Sequence, residues 1–113
     1  MKTILNVTLA ATALLGACAP ALASEQLALQ KQCMQCHAVD RHVVGPSFQA
    51  IGAIYRTMDD PLPKLMAVIR DGSTAHLGPL WGHARMPDTS ERPPVSLAEA
   101  RQLAQWILSQ PAP

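Results

Sequence analysis

The chain has 113 residues, of which 15% are charged and 49% are hydrophobic, and its formal net charge at pH 7 is +1. Its basic residues are scattered along the sequence and its four aromatic residues do not interleave with them, so nucleic acid is not an expected partner. Beyond the N-terminal segment, no stretch is long and apolar enough to cross a membrane.

Residues 1–23 have the pattern of an export signal. Lys2 is followed by an apolar run that is too short to span a bilayer comfortably, and then by small residues around a candidate cleavage site. Ala21 and Ala23 satisfy the small-x-small rule for cleavage after Ala23, and Pro20 is expected to end the helix of the signal just before the cut. The sequence therefore predicts an exported protein.

A second processing route is open for the same segment. The sequence LLGAC resembles a lipobox, in which Cys18 would be lipidated and become the first residue. The remainder, residues 24–113, is predicted to be one small domain, in which the eight acidic residues are balanced by eight of the chain's nine basic ones. The product is either a free exported protein or one anchored through Cys18.

Two cysteines and a histidine fall close together after the first predicted helix. Ser24 can cap this helix, which is expected to run into Cys33 and Cys36; these stand one helical turn apart and are followed directly by His37. Three chemistries use such a spacing: a redox dithiol, part of a zinc site, and covalent attachment of haem.

Three further helices are predicted, and no strand. The second helix begins after a cap at Ser47. The third begins after a cap at Asp60 and ends at Gly72, and the fourth begins with the capping box SLAE at Ser96 and ends before Pro111. No stretch alternates between apolar and polar residues with period two, so the predicted fold class is all-α.

A long segment rich in glycine and proline separates the third and fourth helices. It contains Trp81 and Met86, apolar residues that a disordered segment would not be expected to retain. Four short helices are also a thin core for a domain of this size. We therefore expect a further group on which both the segment and the helices pack.

Haem attachment satisfies this expectation best among the three chemistries. A zinc site would need four ligands at one of the usual spacings, a redox dithiol would need neighbouring strands, and a disulfide would close only a very small loop. In C-x-x-C-H each thiol can form a thioether to a vinyl group, and the imidazole that follows faces the iron. The macrocycle then supplies the missing core.

The segments CMQCHAVDRHVVGPSF, WGHARMP and QLAQWILSQ resemble those of class I c-type cytochromes, most closely the small bacterial c-551/c-552 type. The resemblance covers essentially the whole domain. It implies about four short helices around one covalently attached haem c, and a periplasmic carrier of single electrons. In one departure, Thr89 stands where related cytochromes often have an asparagine near the methionine ligand.

The resemblance implies a role for each matching residue. Cys33 and Cys36 would tether the haem, His37 would be the proximal iron ligand and Met86 the distal one. The carbonyl of Pro46 is expected to accept a hydrogen bond from His37 Nδ1 and to fix the imidazole. We expect Trp81 either to donate to a haem propionate or to have a plain packing role. We expect Arg70 and Arg85 either to pair with propionates or to be solvated surface charges.

Other side chains compete for the distal position. His76 and His83 lie in the same long segment as Met86, so an iron with two histidine ligands and a lower potential is an alternative. Met66 lies on the apolar stripe of the third helix and is expected to fill the core, and Met34 lies inside the haem tether.

An iron with both axial positions filled has no open site, so electron transfer is the expected function, not catalysis. The expected protein is a monomer without a small-molecule substrate, and its partners are periplasmic or membrane-bound redox proteins. Balanced charge predicts a mainly apolar contact with them. Two alternatives stay open: a haem-based sensor or peroxidase-like centre with a vacant sixth position, and the electron-transfer subunit of a larger oxidoreductase.

Overall fold

The computed structural model describes residues 19–73 and 84–113, and the regular secondary structure in them is helical. The α-helices are α1 (Ala19–Gln30), α2 (Phe48–Tyr55), α3 (Pro61–Asp71) and α4 (Leu97–Leu108), and a 3-10 turn covers Cys33–Gln35. Within these two ranges the β-type pairing is limited to an isolated bridge between His37 and His42. The prediction of an all-α fold is confirmed.

The described part of helix α1 runs from Ala19 to Gln30. Ser24 lies inside it, where the hydroxyl donates a 2.9 Å hydrogen bond to the Pro20 carbonyl. The helix stops at Gln30, and the left-handed backbone of Gln32 (φ 62°) separates it from the cysteines. The prediction that the helix reaches the cysteines is wrong, whereas the cap at Ser24, expected for a chain that begins there after cleavage, stays a prediction.

Helices α2 and α3 begin and end close to their predicted positions. Ser47 caps α2 by accepting a 3.0 Å hydrogen bond from the Ala50 N–H. Helix α3 starts with Pro61 and is ended by Gly72, whose φ of 75° disfavours any residue with a Cβ. Asp60 occupies the predicted N-cap position of α3, but its side chain makes no capping hydrogen bond. Its backbone is left-handed (φ 51°), whereas a capping side chain needs an extended backbone to reach the first N–H groups of the helix.

Helix α4 is the centre of the packing and contacts the other three α-helices. Its buried face includes Leu103, Trp106 and Ile107. Phe48 of α2 meets Trp106 edge-on, with the ring centroids 5.1 Å apart. A Cβ on Gly52 would collide with the Ile107 carbonyl oxygen, so the backbones of α2 and α4 touch there. Helix α4 thereby fixes α2, which forms one wall of the site described below.

The predicted capping box at the start of α4 is present. The Glu99 N–H donates to Ser96 Oγ over 3.1 Å, and the Ser96 N–H donates to Glu99 Oε2 over 2.8 Å. We expect Ser96→Ala to lower the free energy of unfolding by about 0.5–2 kcal/mol, measured by denaturant unfolding. Ser90→Ala is the control, because within the described residues its exposed hydroxyl bonds only Asp88, and it should change this free energy much less. Equal losses from the two variants would contradict the capping role of Ser96.

The capping box formed by Ser96 and Glu99 also makes part of the free energy of unfolding depend on pH. The bond from the Ser96 N–H, followed by that from the Lys31 ammonium, lowers the pKa of the Glu99 carboxyl below its usual value. A carboxyl whose pKa is lower in the folded state stabilises the fold above its ordinary pKa. This contribution is therefore complete at neutral pH and is lost as acid protonates Glu99.

Candidate functional site

An apolar cleft lies between α2, α3 and α4. Its volume, measured out to the open mouth, is about 470 Å³, and its lining includes Ile51, Tyr55, Leu65, Ile69, Leu103 and Ile107. Two further cavities, of about 330 and 340 Å³, share His37 and Met86 with it. Most of the side chains that line the cleft are apolar. The cleft therefore suits an apolar group better than a polar one.

Cys33 lines this cleft and Cys36 lines the two further cavities, and both lie on the short turn after α1. The N–H groups of Cys36 and His37 both donate to the Cys33 carbonyl, over 3.2 and 3.0 Å, so the turn holds the three side chains in a compact arrangement. Both thiols are free and half-buried. Burial raises the pKa of the Cys33 thiol, against the opposing positive charge of Arg92. Redox-exchange cysteines have a lowered pKa, so this environment disfavours a redox dithiol at Cys33 and Cys36.

His37 is buried and fixed on three sides. Its Nδ1 lies 2.7 Å from the Pro46 carbonyl oxygen, and its ring stacks on Phe48 with the centroids 5.3 Å apart. A Cβ on Gly45 would lie 2.7 Å from His37 Cε1, so the backbone of Gly45 covers the ring closely. The contact with Pro46 is the one that the sequence led us to expect.

This surrounding also determines the protonation of His37. Burial lowers the pKa of the imidazole, with the bond to Pro46 acting in the opposite direction, so the ring is neutral at pH 7. A carbonyl oxygen can only accept, so Nδ1 carries the proton of the neutral ring. Nε2 is left with a lone pair, which is what a metal ligand requires.

Met86 lines the same cavities as His37 and is held through its backbone. The Ser73 N–H donates to the Met86 carbonyl over 3.0 Å, and the Met86 N–H donates to Ser73 Oγ over 3.1 Å. Gly72 adjoins this pair, since a Cβ on it would lie 2.6 Å from the Met86 carbonyl oxygen. The end of α3 therefore fixes where Met86 enters the cleft.

Two basic residues that the sequence analysis did not select also fasten this segment. Arg92 Nε donates to the Pro87 carbonyl over 2.7 Å, and another of its nitrogens donates to the Ile69 carbonyl. Lys31 donates to the Pro94 carbonyl and pairs with Glu99, both over 3.0 Å. The sequence did not indicate Arg92, because its partners are backbone carbonyls and one of them is 23 positions away.

The other predicted site residues are distributed as follows. Arg85 lines one of the cavities and pairs with the Glu91 carboxylate over 2.8 Å. Arg70 is exposed and is not among the residues that line the three cavities. Met66 is buried in the core and Met34 packs against it. The predictions for Cys18, His76, Trp81 and His83 fall outside the described residues.

Comparison with known proteins identifies relatives of this chain, although no protein-family model matches it. The chain is 40% identical over 109 residues to cytochrome c-552 of Nitrosomonas europaea, and the match covers 96% of this chain and 98% of the relative. It is 39% identical over 85 residues to cytochrome c-551 of Azotobacter vinelandii, covering 75% and 94% of the two chains.

A solved structure agrees with these relatives. Wild-type cytochrome c552 of Nitrosomonas europaea superposes with a TM-score of 0.65 at 37% identity, covering 76% of this chain and 98% of that chain. A small helical domain of this fold, with C-x-x-C-H beside an apolar cleft, defines a class I c-type cytochrome. The chain belongs to the c-551/c-552 type of that family. Its cofactor is a covalently bound haem c. The apolar cleft, which lies beside two thiols and a neutral imidazole, fits this group.

Proposed function

We propose that this cytochrome is a periplasmic carrier of single electrons in which His37 and Met86 would both ligate the haem iron. The observation that carries the proposal is that both side chains line the same three cavities, one beside the cysteine turn and the other from the segment after α3. Cys33 and Cys36 would hold the haem through thioethers. When bound, haem c supplies an iron that alternates between the ferric and ferrous states.

His37 and Pro46 form the rigid side of the site. The hydrogen bond from Nδ1 to the Pro46 carbonyl keeps the proton off Nε2 and increases the basicity of that nitrogen. Stacking on Phe48 and the close backbone of Gly45 prevent the ring from rotating. The imidazole is thus oriented before it binds metal, and little rearrangement accompanies a change of iron charge.

Met86 is the side chain that decides between electron transfer and catalysis. A thioether is a soft ligand that favours ferrous iron and so raises the reduction potential. With Met86 on one side and His37 on the other, small molecules have no position at which to coordinate. This supports a carrier over a sensor or a peroxidase-like enzyme.

Partners are proposed to contact the cytochrome through an apolar surface next to the cleft. Val43 and Val44 are large apolar residues with 44% and 52% of their surface exposed, and Val44 lines a cavity together with Cys36 and Met86. Because acidic and basic residues nearly balance, long-range charge steering is weak and close apolar contact is the main attraction. The expected partners are periplasmic or membrane-bound redox proteins.

Export and cleavage after Ala23 complete the proposal. No helix in residues 19–73 or 84–113 is long and apolar enough to cross a bilayer. The solved relative is matched along 98% of its length by 76% of this chain, which leaves about a quarter of this chain outside the match. This coverage is compatible with a domain of residues 24–113 and a removed segment of residues 1–23.

The purified exported protein tests this proposal directly. We expect its mass to equal a chain beginning at Ser24 plus one haem that acid-acetone extraction does not remove, because thioethers are covalent. Optical redox titration should show one single-electron transition, and carbon monoxide should leave the ferrous spectrum unchanged. A chain beginning at a diacylated Cys18 would replace the free carrier with an anchored one, and a mass without haem would refute the proposed site.

A further inference from the structure

The half-buried Arg92 joins the methionine segment, by which we mean Met86 and Pro87, to helix α3. Its Nε donates to the carbonyl of Pro87, the residue after Met86, and a second nitrogen donates to the carbonyl of Ile69 in the last turn of α3. It also lines a cavity together with Cys33, Met86 and Pro87. Its guanidinium therefore spans two separate elements at the edge of the site.

The end of α3 explains why Ile69 needs this partner. In a continuing helix, the Ile69 carbonyl would accept from the N–H of Ser73, four residues later. Here that N–H donates to the Met86 carbonyl, so Ile69 loses its helical donor to the methionine segment. Arg92 replaces the missing donor, and a cation at the C-terminal end of a helix is also favoured by the helix dipole.

These bonds form one connected unit around Met86. Two hydrogen bonds join Met86 to Ser73, and the two bonds of Arg92 join Pro87 to Ile69 on either side of that contact. A movement of Met86 away from the cleft would carry Pro87 with it and would break the bonds of Arg92. Hydrogen bonds of charged donors are among the stronger ones in proteins, so this movement is strongly opposed.

We propose that Arg92 is a positioning residue for Met86, which holds the methionine in the cleft by tying Pro87 to the end of α3. The inference rests on the proposed role of Met86 as the distal ligand. It assigns to Arg92 the control of how often the thioether leaves the iron, a property that the ligand itself does not determine.

The test measures how readily added imidazole replaces the thioether in the ferric, haem-loaded protein. An external ligand binds in proportion to the fraction of molecules in which the position is open. We expect Arg92→Gln to raise the apparent affinity for imidazole about tenfold or more, since it removes two hydrogen bonds of a charged donor. Arg92→Lys should raise it comparably, because one ammonium cannot replace the planar fork that reaches both carbonyls.

Arg56 provides a matched control. It also bridges two backbone carbonyls, those of Leu108 and Gln110, over 2.8 and 2.9 Å, but at the end of α4. Arg56→Gln should lower stability and leave the imidazole affinity unchanged. The inference is overturned if the Arg92 variants bind imidazole no better than Arg56→Gln, or if Arg92→Lys restores the original affinity and so shows that charge alone matters.

The proposed ligand and the inference fail in different ways. If the unaltered ferric protein lacks the near-infrared charge-transfer band of methionine-ligated haem, Met86 is not the ligand, and the inference falls with it before any variant is made. If the band is present and the Arg92 variants do not change imidazole binding, only the positioning role of Arg92 is refuted.

Discussion

Gly45→Ala is expected to lower covalent haem incorporation, because the new methyl group would stand where the His37 ring lies. The Cβ would be 2.7 Å from Cε1 and 3.1 Å from Nδ1 of that ring. The glycine cannot retreat, since its N–H donates to the Cys36 carbonyl over 2.8 Å, and the ring cannot retreat because Pro46 and Phe48 hold it. Overpacking of this kind costs about 1–3 kcal/mol in a well-packed site. The measurement is the yield of protein whose haem survives acid-acetone extraction.

Gly52→Ala is the matched control for this prediction. Its Cβ would also collide with a neighbour, but with the Ile107 carbonyl at the crossing of α2 and α4 and not with an imidazole. It should destabilise the fold while the surviving protein keeps its haem and the spectrum of the unaltered cytochrome. Normal haem yield and potential in the Gly45→Ala protein would show that the His37 ring is not confined as described.

The helix boundaries that the sequence predicted well are those determined by neighbouring residues. Ser47 and Ser96 each cap a helix through a bond to a residue three positions later, and Gly72 ends α3 by its own backbone freedom. Such local signals are complete within a few residues of sequence. Asp60 stands at its predicted N-cap position without a capping bond, because its left-handed backbone does not suit one.

The residues of the site also divide into those that the sequence indicated and those that it did not. The spacing of Cys33, Cys36 and His37 was visible in the sequence because the turn that joins them is short. Arg92 and Lys31 were not visible as site residues, since they bond the carbonyls of Ile69 and Pro94, 23 and 63 positions away. No pattern in the sequence reports a bond to a backbone carbonyl, since every residue has one.

The two sides of the site are consequently held by different means. His37 is confined by residues within eleven positions of it, namely Gly45, Pro46 and Phe48. Met86 is confined by bonds to the distant end of α3. Local unfolding breaks long-range contacts of a loop more easily than a short local network. We therefore expect the thioether, not the imidazole, to be the ligand that is exchanged first when the protein is perturbed.

Met86→Ala is expected to remove the near-infrared charge-transfer band of the ferric protein and to lower the midpoint potential. The band reports iron–thioether ligation, and loss of a soft ligand removes the preference for ferrous iron. The ferrous variant should also bind carbon monoxide, because a vacant position accepts what the thioether excluded. The backbone bonds between Met86 and Ser73 do not involve the side chain, so the segment should keep its place.

Met66→Ala separates ligation from packing in this experiment. Met66 is a buried methionine of α3, so its truncation should lower the free energy of unfolding by about 2–5 kcal/mol and leave band and potential largely intact. Variants of His76 and His83 define the result that would contradict Met86 as the ligand. If Met86→Ala leaves band and potential unchanged while His76→Ala or His83→Ala alters the potential, the distal ligand is a histidine. The midpoint potential would then be the lower one that is expected of an iron with two imidazole ligands.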